Sequence, residues 1–275
     1  MTENGAVQLT TATQVGGTGI PFIRLERICK TFPARDGAPI SAVDDVDLHI
    51  GASEFVSLLG PSGCGKSTLL SLVAGLTAPT SGVISIGGAA VTRPYTNIGI
   101  VFQSDLLLDW RTVLGNVLMQ FEMRGQDPRL HETRARAILA SVGLQDFMSK
   151  YPWELSGGMR QRVSICRALI HDPSLLLMDE PFGALDALTR EQLQVDLQRL
   201  WQTSGKTIVF VTHSITEAVF LSDRVVVMTP RPGRIRQVLR INLPRPRELD
   251  VRDTDIFTIN VRHINHLFRE MGVVH

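Results

Sequence analysis

Cysteine is scarce in this chain: Cys29, Cys64 and Cys166 are the only three in 275 residues, and no pair has C-x-x-C spacing. That argues against a disulfide framework or a cysteine metal site and points to a reducing compartment. Excess charge of either sign is also missing. Lys and Arg number 28 against 27 Asp and Glu, a net charge of +1, which gives no electrostatic case for a nucleic-acid surface. No apolar run approaches the roughly 18 residues a membrane-spanning helix needs. The opening segment MTENGAVQLTTATQVGGTGI has no basic stretch followed by an apolar core, so it does not read as a secretory signal. Rich in Thr and Gly, residues 1–20 are expected to form a flexible tail. No internal repeat is visible. The length suits one large domain or two small ones with ample core.

What is present is concentrated in a few short stretches. Gly60 to Thr68 reads GPSGCGKST, between the apolar run EFVSLLG and the helical run LLSLVAGL. Glycines at a strand-to-helix turn let successive backbone N–H groups face an anion at the helix N-terminus. The pattern G-x-x-x-x-G-K-[ST] assigns the backbone of Gly60, Pro61, Ser62, Gly63, Cys64, Gly65 and Thr68 to a phosphate cradle. Lys66 is then the cation for the outer phosphates and the Ser67 hydroxyl a Mg2+ ligand. A glycine turn with an exposed lysine would not require the whole pattern in this context. Cys64 lies beside the helix N-terminus, where partial positive charge favours a thiolate.

Apolar strand-like runs alternate with helical patterns along the chain, which argues for an α/β fold with a largely parallel central sheet. The clearest strands are FVSLL, NIGIVF, SLLLMD and TIVFVT, the last two apolar enough to be covered on both faces. Between about Ser104 and Pro173 strands give way to the helical stretches HETRARAILASVGL and SGGMRQRVSICRALI. This reads as a helical insertion in a nucleotide-binding core. At the end of SLLLMDE, Asp179 is placed to hold Mg2+ through water and Glu180 to orient or deprotonate an attacking water. Two acids after an apolar strand would mark only a solvated turn, were the phosphate loop not present.

The stretch LSGGMRQR, Leu155 to Arg162, adds a second anion candidate: Ser156 is a good N-cap, and Gly157 and Gly158 expose N–H groups at a helix start. With this stretch the chain resembles an ATP-binding cassette (ABC) ATPase, over nearly everything from about Phe22 to Ile241. The resemblance implies a P-loop core with an N-terminal antiparallel β portion and an inserted helical subdomain. It divides the chain into a tail at 1–20, an ATPase domain at 21–255 with the helical subdomain at about 104–173, and a C-terminal helix at 256–275. It implies ATP and Mg2+ as ligands. Phe32 would stack on adenine, Gln103 would sense Mg2+ and a membrane partner, and Asp186, closing GALD, would contact the opposite subunit. His213, at the end of TIVFVTH, would meet the γ-phosphate.

The same resemblance implies two cassettes packed head to tail, with the phosphate loop of one facing the signature of the other. The second cassette would be another copy of this chain or a paralogous ATPase. A DNA-repair relative would carry a long heptad insertion and a translation relative two cassettes with a charged linker; neither is visible here. A single cassette without a membrane span resembles the separate ATPase of a bacterial importer. It would lie peripherally on the cytoplasmic face of the plasma membrane, with transmembrane permease subunits and, indirectly, an extracytoplasmic solute-binding protein as partners and no nucleic acid. MDEPFGALDALTR, VTHSITEAVFLSDRVVVMTPRPGRI and LLLDWRTVLGNV are similar to the importers of nitrate, sulfonates, taurine and thiamine pyrimidine precursors, with departures at Ser214, where that branch often has Asp, and Cys166, often Ala. Two stretches are expected to be only structural. RPGRIR, Arg231 to Arg236, reads as a solvated hairpin turn. The tail helix places Ile256, Ile259, Ile264, Leu267, Phe268 and Met271 near one face, to be packed on its own domain.

Overall fold

Strands and helices alternate through the computed structural model, which describes residues 21–34 and 37–273; the tail expected at 1–20 lies outside the described residues. The N-terminal strands are β1 (Ile23–Phe32), β2 (Ile40–Ile50) and β3 (Phe55–Leu59), followed by α1 (Lys66–Val73). Next come β4 (Ser81–Ile86), β5 (Ala89–Ala90) and β6 (Ile98–Val101), then the helices α2 (Val113–Glu122), α3 (Glu132–Ser141) and α4 (Gly157–Leu169). The order continues with β7 (Leu175–Asp179), α5 (Ala187–Ser204), β8 (Thr207–Thr212), α6 (Ile215–Leu221), β9 (Arg224–Met228), β10 (Ile235–Arg240) and α7 (Asp255–Glu270).

The chain divides into two compact units, one made of the residues up to Thr96 together with those from Thr207 onward, the other of Asn97–Lys206. In the first unit β3 pairs parallel with both β8 and β9, and β10 closes antiparallel on β9. Every residue of β3, β8 and β9 is buried, as expected of strands covered on both faces. An antiparallel sheet in the order β2-β1-β4-β5 accompanies them. Helix α7 buries Phe257, Ile264, Leu267 and Phe268. Ile256 and Ile259 are 46% and 41% exposed, so the buried stripe is rotated from the expected face. It runs through Asn260, whose side-chain amide donates to its own helix at Ile256 O, 2.8 Å.

In the second unit β6 and β7 pair in parallel. Helices α2, α3 and α4 share a core in which Val113, Val117 and Phe121 of α2, four residues apart, meet Ala135 and Leu139 of α3, Val163 and Cys166 of α4, and Ile170 just after it. Cys166 is thus a core thiol, and burial pushes it up to about 12. Gly99 lets α4 lie directly on β6: a Cβ there would sit 2.2 Å from Ala168 O.

Candidate nucleotide-binding site

In the first unit the site grows from the carboxyl ends of parallel strands, where open α/β sheets place ligands. Leu59 of β3 is in register with Thr212 of β8 and Val227 of β9. The phosphate loop leaving β3 and His213 leaving β8 therefore emerge side by side. His213 is exposed, and its flanks are fixed: Ser214 N donates to Thr212 Oγ1 at 3.0 Å, and Thr212 Oγ1 donates to the buried Glu217 carboxylate at 2.6 Å. Ser214 caps α6 by accepting from Glu217 N at 3.3 Å, so serine serves where a carboxylate is frequent in the resembled branch. The other end of α6 is held by Arg247, which donates to Val219 O, Phe220 O and Ser222 O, and by Arg245, which donates to Leu221 O. These are helix-end carbonyls that would otherwise lack partners.

Gly60–Thr68 forms the loop and the start of α1. Gly63 (φ 76°) and Gly65 (φ 97°) lie in the left-handed region that favours glycine. Lys66 is only 4% exposed; its ammonium donates to Gly60 O at 2.8 Å and to Pro61 O at 3.0 Å, inside the curl of the loop. Ser67, the second residue of α1, is exposed. Cys64 departs from expectation. It is 1% exposed, and burial pushes its thiol up, against the opposing pull of Lys66 and nearby N–H groups. Desolvation outweighs the helix terminus, and no activated thiolate results. At the end of β1, Phe32 pairs with Ile40 two residues before Ala42, the residue packed on Gly65. Its ring is partly exposed, with Lys30 Nζ 5.0 Å from its centroid.

In the second unit Val101 is in register with Met178, which brings Gln103 and the pair Asp179–Glu180 to one edge. A Cβ on Gly183 would lie 3.5 Å from Glu180 O and 3.6 Å from Gln103 Nε2, so the glutamine amide reaches the turn that carries the glutamate. Glu180 has φ 46°, a left-handed backbone that a glutamate adopts only under local constraint. Gly183 N donates to its carbonyl at 3.1 Å.

The segment after Gln103 is tied down by residues that sequence reasoning passed over. Arg160 donates to the Asp105 carboxylate at 2.9 Å and Arg167 to Leu106 O and Asp105 O at 2.7 Å. Asn116, fully buried in α2, accepts from Leu108 N at 2.7 Å and donates to Leu108 O, Arg111 O and Thr112 O at 3.1 Å. The only sequence signal was an arginine pair seven apart on the signature helix, and nothing named their acceptors.

Ser156, Gly157 and Gly158 open α4, with Ser156 Oγ accepting from Met159 N at 3.3 Å. Asp186 does the same for α5, accepting from Thr189 N at 3.0 Å, and this bond holds its carboxyl below the ordinary aspartate value. The two helix starts touch: a Cβ on Gly158 would meet Thr189 Cγ2 at 2.3 Å, and one on Gly157 would lie 3.7 Å from Leu185 Cδ2. Ser156–Gly158 and Asp186 therefore share one surface, and Ser156 and Gly157 are exposed on it.

These residues fit a nucleoside triphosphate, since the loop supplies inward backbone curvature and a held cation. Among the described residues no three His, Cys, Asp or Glu side chains converge as a metal cage. Among the described residues, too, no helix is long and apolar enough to cross a membrane.

A family described as ABC transporter matches residues 43–183. An uncharacterized ABC transporter ATP-binding protein of Methanocaldococcus jannaschii is 47% identical over 226 residues, 82% of this chain and 84% of that protein. The taurine import ATP-binding protein TauB of Jannaschia sp. is 47% identical over 219 residues, covering 80% and 82% of the two chains. Among solved structures, a dimeric ATP-binding cassette in a post-hydrolysis state bound to ADP and Pi superposes with a TM-score of 0.70 at 31% identity, over 81% of this chain and 100% of that one.

Proposed function

The chain belongs to the ABC transporter family of ATPases, which bind and hydrolyse ATP, and from that premise we propose that it energises an importer of a small organic solute of the taurine and sulfonate type. The observation that carries this reading is 47% identity to a taurine import ATP-binding protein across 80% of the chain. Nitrate and pyrimidine precursors define neighbouring substrate classes.

In this reading the curled loop Gly60–Thr68 receives the phosphates and Lys66 exchanges a loop carbonyl for a phosphate oxygen. Ser67, Gln103 and Asp179 hold Mg2+, which neutralises the triphosphate when bound. Glu180 takes the proton of the attacking water, His213 donates to the γ-phosphate, and Phe32 covers the adenine. Ser156–Gly158 and Asp186 act on the nucleotide of a second cassette, another copy of this chain or a paralogous one, so that ATP closes the pair head to tail and hydrolysis releases it. Closure of this kind is a population shift driven by differential affinity. A helical subdomain at about 104–173 couples it to permease subunits, and α7 packs at the end of the 21–255 core. The exposed apolar side chains of the second unit, Leu106, Trp110, Met123 and Leu130, support a protein partner there. The cassette then sits peripherally on the cytoplasmic face of the membrane, with a solute-binding protein acting on the far side. A net charge of +1 lends no support to the alternative of a DNA- or ribosome-directed ATPase.

Reconstitution with the adjacent-gene permease in proteoliposomes tests the proposal. ATP-dependent uptake of radiolabelled taurine or an alkanesulfonate is expected. ATP hydrolysis without uptake of any tested sulfonate, nitrate or pyrimidine removes the importer assignment while leaving the ATPase intact.

A further inference from the structure

The turn between β9 and β10, expected to be a solvated hairpin, is buried at one residue. Gly233 has no exposed surface to speak of, and a Cβ built on it would lie 1.9 Å from Cys64 O, inside the phosphate loop, and 3.1 Å from Met228 Cε. Its φ is not in the left-handed region, so glycine is required here by space alone. The same stretch also lies against β2: a Cβ on Gly65 would meet Ala42 O at 2.5 Å and Val43 Cγ2 at 3.0 Å. The turn and β2 are joined to each other, Gly233 N donating to Ala42 O and Asp44 N to Gly233 O, both 3.0 Å. Arg234 adds a side-chain clasp, its Nε donating to Asp44 Oδ2 at 3.0 Å. The turn is also braced internally, with Arg234 N donating to Thr229 Oγ1 at 3.0 Å.

We propose that Gly233, clasped to β2 through Arg234 and Asp44, is a positioning residue for triphosphate binding. The reason lies in one peptide plane. Cys64 C=O and Gly65 N–H belong to the same planar trans unit, so they point in opposite directions. Seating the carbonyl against Gly233 directs the Gly65 N–H away from Gly233, and any atom placed at the Gly233 Cβ position must push that carbonyl and turn the N–H with it. Gly65 is confined as well, its Cα lying against Ala42 O of β2. The hairpin turn and β2, hydrogen-bonded to each other, thus form a backbone wall against the peptide that aims one donor of the cradle. The phosphate loop is held by a segment about 170 residues further along the chain, as the numbers of Cys64 and Gly233 show.

This inference rests on ATP binding at Gly60–Thr68, and the wild-type protein in the same assay tests that premise separately. In Gly233→Ala, the KM for ATP and the Kd for ADP are expected to rise about tenfold or more, the loss of one charge-assisted hydrogen bond, while kcat at saturating ATP stays within about threefold. A role confined to folding would instead lower the melting temperature and the active fraction, leaving KM unchanged. Should Gly233→Ala fail to fold, Arg234→Asp carries the test, because that side chain is exposed. Its KM is expected to rise about threefold to tenfold, and Asp44→Arg combined with Arg234→Asp to restore it, as a swapped ion pair does in a mutant cycle. Wild-type KM in Gly233→Ala, or in Arg234→Asp where only that variant folds, overturns the proposal.

Discussion

Two glycine-bearing helix starts in this chain, at α1 and α4, are built in opposite ways. The phosphate loop at the start of α1 is enclosed: Lys66 and Cys64 are buried, Gly65 lies against the β2 backbone and Cys64 O against Gly233. The signature at the start of α4 is open. Ser156 and Gly157 are exposed, the cap is an ordinary serine bond, and the one tight contact, Gly158 on Thr189, involves the methyl of a side chain. The first has its cation and curvature in place, whereas the second has only N–H groups and the shared surface of Asp186. In the proposed head-to-tail pair, an enclosed cradle and an open half-site would be the two parts that each chain contributes.

The largest effect expected from breaking this division is on turnover. Glu180→Gln keeps the size of the side chain and its hydrogen bonding but removes the base, so kcat should fall by roughly 10² to 10⁴ with ATP affinity retained. Gel filtration with ATP should then show a trapped dimer. Wild-type hydrolysis by this variant would remove Glu180 from the chemistry.

Next in size is a pair of alanine substitutions that sets enclosed against open. Gly65→Ala must place a Cβ on the Ala42 carbonyl from a φ of 97°, and a backbone obstacle cannot rotate away. ATP affinity should fall by about tenfold or more and no second-site change nearby should restore it. Gly158→Ala meets only Thr189 Cγ2. Its cost should be about 1 to 3 kcal/mol of stability, and Thr189→Ser, which deletes that methyl and keeps the hydroxyl, should recover most of it. Equal behaviour of the two pairs in thermal unfolding and nucleotide titration would erase the distinction.

A mixing experiment probes the division between chains. Lys66→Ala damages the cradle and Ser156→Arg covers the signature, so each homodimer has a lesion in both composite sites. A heterodimer has one site with both lesions and one with none. ATP-dependent cross-linking should therefore appear on mixing and be weak in either parent. If loop and signature served the same nucleotide within one chain, mixing would recover nothing.

Much of the enclosed site was legible because it is written in contiguous residues. The strands FVSLL, SLLLMD and TIVFVT announce themselves as apolar runs, and the structure places them at Phe55–Leu59, Leu175–Asp179 and Thr207–Thr212. The antiparallel strands are harder to read from local pattern, because bulges at Arg27 (φ 48°) and Asp45 (φ 49°) break the alternation of β1 and β2. Helix α2 hides behind Gly115 and the buried Asn116, and α7 turns on Asn260, a polar residue satisfied by its own helix. Periodicity counts such residues as outward-facing. Gly233 illustrates a different limit: locally RPGRIR is a turn, and its neighbour Cys64 is far away in sequence, so the steric demand exists only in three dimensions. Cys64 failed for a related reason, since position beside a helix N-terminus was visible but burial was not.

The smallest expected effect reads the same contrast through thiol chemistry. Maleimide reacts with thiolates that it can reach. Cys64 is 1% exposed with its thiol pushed up by burial, and Cys166 is fully buried with its thiol near 12; both should label slowly, and Cys29, partly exposed, faster. Ser156→Cys introduces a thiol on the open site at the cost of one cap, about 1 kcal/mol. Placed in the Glu180→Gln background and followed by peptide mass spectrometry, this cysteine should label readily without nucleotide. With Mg-ATP it should be protected by about fivefold, because a second cassette then covers the helix start and removes the access on which thiol labelling depends. Cys64 should change little in the same samples, being covered by its own chain throughout. Rapid labelling of Cys64 would show that the cradle opens in solution. An unprotected Ser156→Cys in the ATP-trapped protein would mean that the signature faces solvent even when the nucleotide is bound, and the open end of this chain would then need a different occupant.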